Sequence, residues 1–317
     1  MASGELVPIV EVALVPSDPR DLDRIQAELD RMAKANPALR FTAKKRGEVI
    51  ILGGEDELQL DAVRKLLALN VSIGASEIRV AYRETICKRA EAEGKYIRQT
   101  GGRGNYGHCW LRVEPNGPGK GYEFANEIEG GAAGNKAGVV PKEYVNAIDQ
   151  GVQGALELGI LAGFPIIDVK VTLFDGSYHE VDSNEMAFKF AGSIAFKEAA
   201  RRASPVLLEP VMAVEVTVPE EFMGGIIGDI NSRRGRIEGI EPDAGLQVSG
   251  THIIRAMVSL AQLLRSSRYG RPDWPMRFAR YEQAPPFDGF NDGLPSFARN
   301  PRDPRPRSRS SFVWPED

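Results

Sequence analysis

Residues 8–37 read PIVEVALVPSDPRDLDRIQAELDRMAKANP, and a change of hydrophobic period inside this stretch decides the fold class. From residue 8 to 15 the apolar side chains alternate as in a strand, and Asp18-Pro19 then offers an N-cap with proline at the first helical position. Leu22, Ile25, Leu29 and Met32 follow at helical spacing on one face, and Asn36-Pro37 ends the run. Working outward, residues 40–44 and 48–52 read as a hairpin turned by Arg46-Gly47. A second helix is expected to bury Leu58, Ala62, Leu66 and Leu69, and residues 77–82 form the closing strand. The order βαββαβ predicts a ferredoxin-like unit, with helices on one side of an antiparallel sheet.

The same order returns near the C-terminus. Residues 211–218 read as a strand, and Pro219-Glu220-Glu221 opens a helix carrying Phe222, Ile226, Ile227 and Ile230, capped by Gly235. Strands are expected at 236–240, 253–258 and 276–281, with a stub of helix at 260–265. Between the two units the composition changes to glycine-rich turns at 101–107 and 130–138 and strands at 110–113 and 122–128. A helix over 142–158 is expected to bury Tyr144, Ile148, Val152, Ala155 and Leu156. Residues 166–174 are too continuously apolar to have a wet face, which predicts a central strand. A further helix, starting after Asp182-Ser183, is expected to turn Met186, Phe190, Ile194 and Ala195 to the core. The sequence therefore predicts an α+β protein with domains at 1–83, 84–204 and 205–284. A Pro- and Arg-rich tail follows at 285–317, whose composition cannot offset ordering entropy.

The 317 residues are 42% hydrophobic and 26% charged, with a net charge of −4 that excludes a uniformly basic nucleic-acid coat but not a local contact surface. No apolar run is long enough to span a membrane, and the N-terminus lacks a basic and apolar leader, so a cytoplasmic protein is expected. Cys87 and Cys109 are too few for a disulfide framework. With His108 and His179 they would bind a metal only if the fold gathered three distant segments, so no metal is expected and both thiols are read as core residues.

Catalytic motifs are missing from the chain. No G-x-x-x-x-G-K-[ST] run occurs, Pro118-Gly119-Lys120-Gly121 lacks the hydroxyl that would ligate magnesium, and Asn135-Lys136-Ala137-Gly138 lacks an acid to read guanine. No nucleophile elbow is present, and the adjacent His108 and Cys109 should point to opposite faces of a strand. No enzyme activity and no cofactor are expected. Three segments carry binding chemistry instead. Residues 98–108 combine four glycines and two arginines with Tyr106 and His108, which suits either a mobile hairpin or close contact with RNA. Residues 175–182 hold His179 among acids between a buried strand and a helix, as in a capping turn or a contact loop. Residues 231–236 carry Arg233, Arg234 and Arg236 at a helix C-terminus, where cations complement the dipole or meet phosphate.

At these residues the sequence resembles the C-terminal half of bacterial translation elongation factor G. The likeness rests on GKYIRQTGGRG at 94–104, VPKEY at 140–144, GFP at 163–165, DGSYHEVDS at 175–183 and IGDINSRRG at 227–235, all in the family's order. It covers about residues 6 to 285, corresponding to the family's third, fourth and fifth domains, without its GTPase and second domains. The resemblance implies two ferredoxin-like domains flanking a ribosomal-protein-S5-like domain with a left-handed βαβ crossover, an exception to the usual right-handed rule. It also implies a ribosome-binding module whose middle domain enters the A site during translocation. Two tip loops would contact tRNA and mRNA: Arg103, Gly104, Asn105, Tyr106, Gly107 and His108 in one, and Ser177, Tyr178, His179 and Glu180 in the other. Arg233, Arg234 and Arg236 are candidate rRNA contacts. Alternatives are a subunit that works with a separate GTPase protein and an inactive truncated paralogue. Asn105 stands where the family commonly has glutamine. Residues 132–138 read as an insertion, as do residues 248–251 around the last domain's hairpin.

Overall fold

The computed structural model describes residues 8–44, 49–55, 57–76, 78–99, 104–128, 140–218, 220–232, 235–243, 245–253 and 276–284. These divide into two compact units, one formed by residues up to 82 together with 209–282, the other by 83–208.

The first unit opens with strand β1 (Val10–Pro16), a turn of 3-10 helix and helix α1 (Leu22–Ala35). Asp18 caps that turn, its side chain accepting from the Arg20 N–H at 2.9 Å. Strands β2 (Arg40–Lys44) and β3 (Val49–Gly54), helix α2 (Glu57–Ala68) and the short strands β4 (Ile73–Ala75) and β5 (Arg79–Val80) follow. The sheet order β2-β3-β1-β4, antiparallel at each of these pairings, is that of a ferredoxin-like fold. The closing strand expected over 77–82 is strand only at Arg79–Val80 among the described residues; β4 pairs with β1 ahead of it, and Ser76 between the two accepts from the Ala13 N–H at 3.0 Å. Helix α1 buries Ile25 and Leu29 as its period predicts. Helix α2 does not present the expected face: Leu60, Val63 and Leu67 are buried while Leu66 and Leu69 are exposed. The helix is leucine-rich on two stripes, and periodicity alone does not say which one meets the strands.

The second unit begins with β6 (Arg83–Ile86), β7 (Ala90–Arg98), β8 (Asn105–Pro115) and β9 (Glu123–Asn126). Helix α3 (Lys142–Leu158), strand β10 (Val169–Ser177) and helix α4 (Glu185–Arg202) complete it. The sheet order is β7-β8-β10-β9, with β10 parallel to β9 and antiparallel to β8, so the apolar run does form an internal strand. Its core gathers Leu111, Val113, Val169, Val171 and Leu173 with Ile148, Val152, Phe188 and Phe196. Of the four residues of helix α4 expected at the core, only Ala195 is there. Ala187, Phe188, Ala191, Gly192, Ala195, Phe196 and Ala199 are buried, and Met186, Phe190 and Ile194 are exposed. Small residues face the sheet because the backbones nearly touch: a Cβ on Gly94 would lie 2.0 Å from the Ala191 carbonyl oxygen. Phe190 stacks on Tyr96 at the margin of this contact, with ring centroids 4.8 Å apart.

Strand β11 (Pro205–Val218) pairs with β6 over its first four residues. It continues as the first strand of another βαββ set with α5 (Glu220–Ser232), β12 (Arg236–Asp243), β13 (Gly245–Ile253) and β14 (Met276–Gln283). The order β12-β13-β11-β14 repeats the ferredoxin-like arrangement. Gly235 closes α5 as expected, its N–H reaching the Ile230 carbonyl at 2.9 Å. The third strand sits earlier than expected. Residues 248–251 form the centre of β13, in register with both β11 and β12. Of the strand expected over 253–258 only Ile253 is described, as the end of β13, and the helix expected over 260–265 lies outside the described residues, as do 132–138 and the tail. Within the first unit the two halves share one core, in which Met212, Ile226 and Ile230 join Ile25, Leu29, Leu60 and Leu67.

The cysteines part company. Cys109 is buried in β8, and burial pushes its thiol up to about 12, whereas Cys87 is exposed, against the expectation that both are core residues. A thiol-reactive dye at neutral pH should therefore label one cysteine at once and the second only after unfolding. Two thiols of equal rapid reactivity in the native protein would contradict this packing.

Candidate nucleic-acid interface

The two tip segments come together at one end of the second unit's sheet because β8 and β10 are antiparallel neighbours, with His108 opposite Ser177. The turn after β10 folds back over the start of β8. Asp182 Oδ1 accepts from the Gly104 N–H and its main-chain carbonyl accepts from the Tyr106 N–H, each at 2.8 Å. Asn184 Nδ2 donates to Asn105 Oδ1 at 2.8 Å, while Asn184 Oδ1 accepts from the Ala187 N–H at 2.9 Å and so caps α4. These bonds tie the two segments into one structure.

The glycines serve this closeness. Gly104 and Gly107 are buried, and a Cβ on Gly107 would lie 2.3 Å from the Ala187 carbonyl oxygen. Asn105, Tyr106, Gly107 and His108 are strand residues of β8, in register with β7. Arg103 lies outside the described residues.

A second set of bonds runs along the open face of the sheet. Tyr106 Oη and Ser177 Oγ are 2.8 Å apart, and Ser177 Oγ is 2.6 Å from His108 Nδ1. His108 Nε2 lies 2.9 Å from Glu93 Oε1, near enough for an ion pair with a protonated ring but off the direction of a hydrogen bond. His108 is thus held inside the fold, while Cys109 points to the core on the opposite face. Further along this face Arg112 is bound by Glu91 at 2.9 Å and Glu127 at 3.0 Å and lies 5.0 Å from the Phe174 ring centroid. Arg89 and then Arg112 hold the Glu91 carboxyl below its ordinary range. With its charge committed to carboxylates, Arg112 offers little to a phosphate.

Tyr178, His179 and Glu180 are the exposed part of the tip, joined by Val181. His179 is anchored by its backbone: its N–H donates to Ser183 Oγ at 2.9 Å, and its carbonyl accepts from the Ser183 N–H at 3.0 Å. Its ring stands 6.2 Å from that of Tyr106. Sequence reasoning missed Asp182, Ser183 and Asn184 as the residues that hold this arrangement, although the run of four cap-forming or acidic side chains in VDSNE at 181–185 was the available signal. Among the basic residues at the end of α5, only Arg236 is described, exposed at the start of β12 in the other unit. Among the described residues no group of three or more His, Cys, Asp or Glu is placed to hold a metal ion, and no helix is long and apolar enough to cross a membrane.

Two family models match the chain: elongation factor G, domain IV, over residues 78–204, and elongation factor G C-terminus over residues 206–287. The fold is also similar to a crystal structure of a protein from Thermus thermophilus, with 36% sequence identity, a TM-score of 0.65 and 90% of this chain covered. That likeness extends beyond the residues matched by the two models. The chain spans 42% of the length of the Thermus protein. By its second unit and its C-terminal ferredoxin-like half, the chain belongs to the elongation factor G family.

Proposed function

We propose that the chain is a ribosome-binding module whose tip, residues 104–108 and 177–180, enters the A site and contacts tRNA and mRNA during translocation. The observation that carries this reading is the clasp of Asp182 and Asn184, which holds Tyr178, His179 and Glu180 exposed at the end of the sheet. An exposed imidazole and phenol on a fixed turn suit contact with bases and sugars of unpaired RNA. Residues 8–82 act as the third-domain-like partner of the C-terminal half. Residues 1–317 carry no phosphate-binding motif, so in this reading GTP-driven movement requires a GTPase outside these residues.

The contact should be local rather than a broad electrostatic one. Residues 85–204 carry 14 Lys and Arg against 15 acids, and Arg112 and Lys170 are paired with carboxylates. Sedimentation with ribosomes across a salt series tests this. Binding at low ionic strength that weakens steadily as salt rises is expected. Binding indifferent to salt would point to a protein contact, and no binding at low salt would refute the proposal.

A further inference from the structure

The exposed imidazole at the tip has a defined proton position. His179 Nδ1 faces the backbone of its own turn and accepts from the N–H groups of Val181 at 3.4 Å and Asp182 at 3.3 Å. A ring nitrogen that accepts two N–H donors cannot carry the proton of a neutral imidazole, which must then sit on Nε2. The nearest competitor is the Asp182 carboxylate, whose Oδ2 is 3.5 Å from Nδ1, farther than either N–H donor. Its other oxygen already accepts from the Gly104 N–H at 2.8 Å. Turning that carboxylate towards a proton on Nδ1 would strain the Gly104 bond and leave the Val181 and Asp182 N–H groups without their acceptor. Meanwhile the His179 side chain is 56% exposed.

We propose that Asp182 is a positioning residue that keeps the turn over residues 179–184 closed on Gly104, so that His179 is presented with Nδ1 turned to its own backbone and an Nε2–H donor facing outward. The group it meets on RNA is therefore a hydrogen-bond acceptor. This rests on the reading of the tip as an RNA contact, but its first test does not.

The test is nitrogen NMR of the full-length chain labelled at histidine, which has three such residues to assign. His179 should show Nδ1 at the position of an unprotonated ring nitrogen and Nε2 at that of a protonated one. In Asp182→Asn, the amide oxygen can still accept from Gly104 and the amide N–H₂ can donate towards Nδ1, so the same pattern and undiminished ribosome binding are expected. In Asp182→Ala, the tie to Gly104 is lost, so the two tautomers should mix. Ribosome binding should then weaken about three- to tenfold, the scale of one hydrogen bond, as it should in His179→Ala. Cys109 protection in each variant reports that the core is intact.

A proton on Nδ1 in the wild-type chain would overturn the proposal, and so would an Asp182→Ala variant with wild-type tautomer and binding. A wild-type chain with the expected tautomer that fails to sediment with ribosomes would support the tautomer assignment and refute the tip's role instead.

Discussion

Glu84→Ala should destabilise the second unit by about 3 to 5 kcal/mol, because it removes a buried charge that four backbone donors were folded around. Glu84 sits in β6 with no exposed surface, and its carboxylate closes the loop between α3 and β10. Oε2 accepts from the N–H groups of Ile160 and Leu161 at 2.6 and 2.8 Å, and Oε1 accepts from those of Ala162 and Phe164 at 2.7 and 3.1 Å. The Glu84 N–H also donates to the Pro165 carbonyl, and its carbonyl accepts from the Ile167 N–H, each at 2.9 Å. Alanine leaves the four loop donors without that acceptor. Glutamine keeps the shape but turns an N–H₂ group towards one pair of N–H donors, so Glu84→Gln should lose roughly half as much. Since Cys109 lies in the core of the same unit, its rate of labelling reads the loss directly. If Glu84→Ala labels no faster than wild type and melts at the same temperature, the loop is not held by this residue.

Gly94→Val should cost about 3 kcal/mol or more, since the clash is with backbone rather than with a movable side chain. The built Cβ lies 2.0 Å from the Ala191 carbonyl oxygen and 2.7 Å from the Ala195 nitrogen, both in α4. The helix would have to leave the sheet. Gly154 in α3 is the comparison, because nothing lies within 4 Å of a Cβ there. Gly154→Ala should stabilise by about 0.5 to 1 kcal/mol through helix propensity. Thermal melts of both variants beside wild type decide the matter. Equal effects at the two glycines would mean that the α4 contact is looser than described.

The same contact explains why the inner face of α4 was misread while the fold class was legible. The ferredoxin-like order could be read from residues 8–82 because strand and helix periods alternate cleanly there and Asp18-Pro19 marks the boundary. In α4 the usual inference, that large apolar side chains point inward, gave Met186, Phe190 and Ile194 beside Ala195, and only Ala195 is buried. The helix packs so closely on β7 and β8 that Ala187, Ala191 and Ala195 fill the space. Alanine and glycine carry little hydropathic signal, so a period count is blind to an interface built from them. The strand over 245–253 was missed for a related reason. Its residues GLQVSGTHI hold two glycines and several polar groups, and their pairing with both β11 and β12 is a long-range property.

At the tip the resemblance named the segments, but the residues alone did not show how they are joined. Gly104 and Gly107 read as loop glycines and are in fact buried where a turn and a helix approach β8. His108 and His179 looked alike in sequence, yet one is enclosed by Ser177 and Glu93 while the other is exposed. The pairing of Asp182 with Gly104 spans 78 positions, beyond the reach of any local pattern.

The most direct test of the account is to ask where the tip lies on the ribosome. In a Cys87→Ser background, Tyr178→Cys would offer one exposed thiol for an iron chelate, with Cys109 remaining out of reach in the core. Arg236→Cys in the same background marks a position in the other unit. The account predicts hydroxyl-radical cleavage from position 178 confined to the A-site decoding region of the small-subunit RNA, with a different cleavage pattern from position 236. Cleavage from position 178 at a site remote from the A site, or none while the chain remains bound, would contradict it.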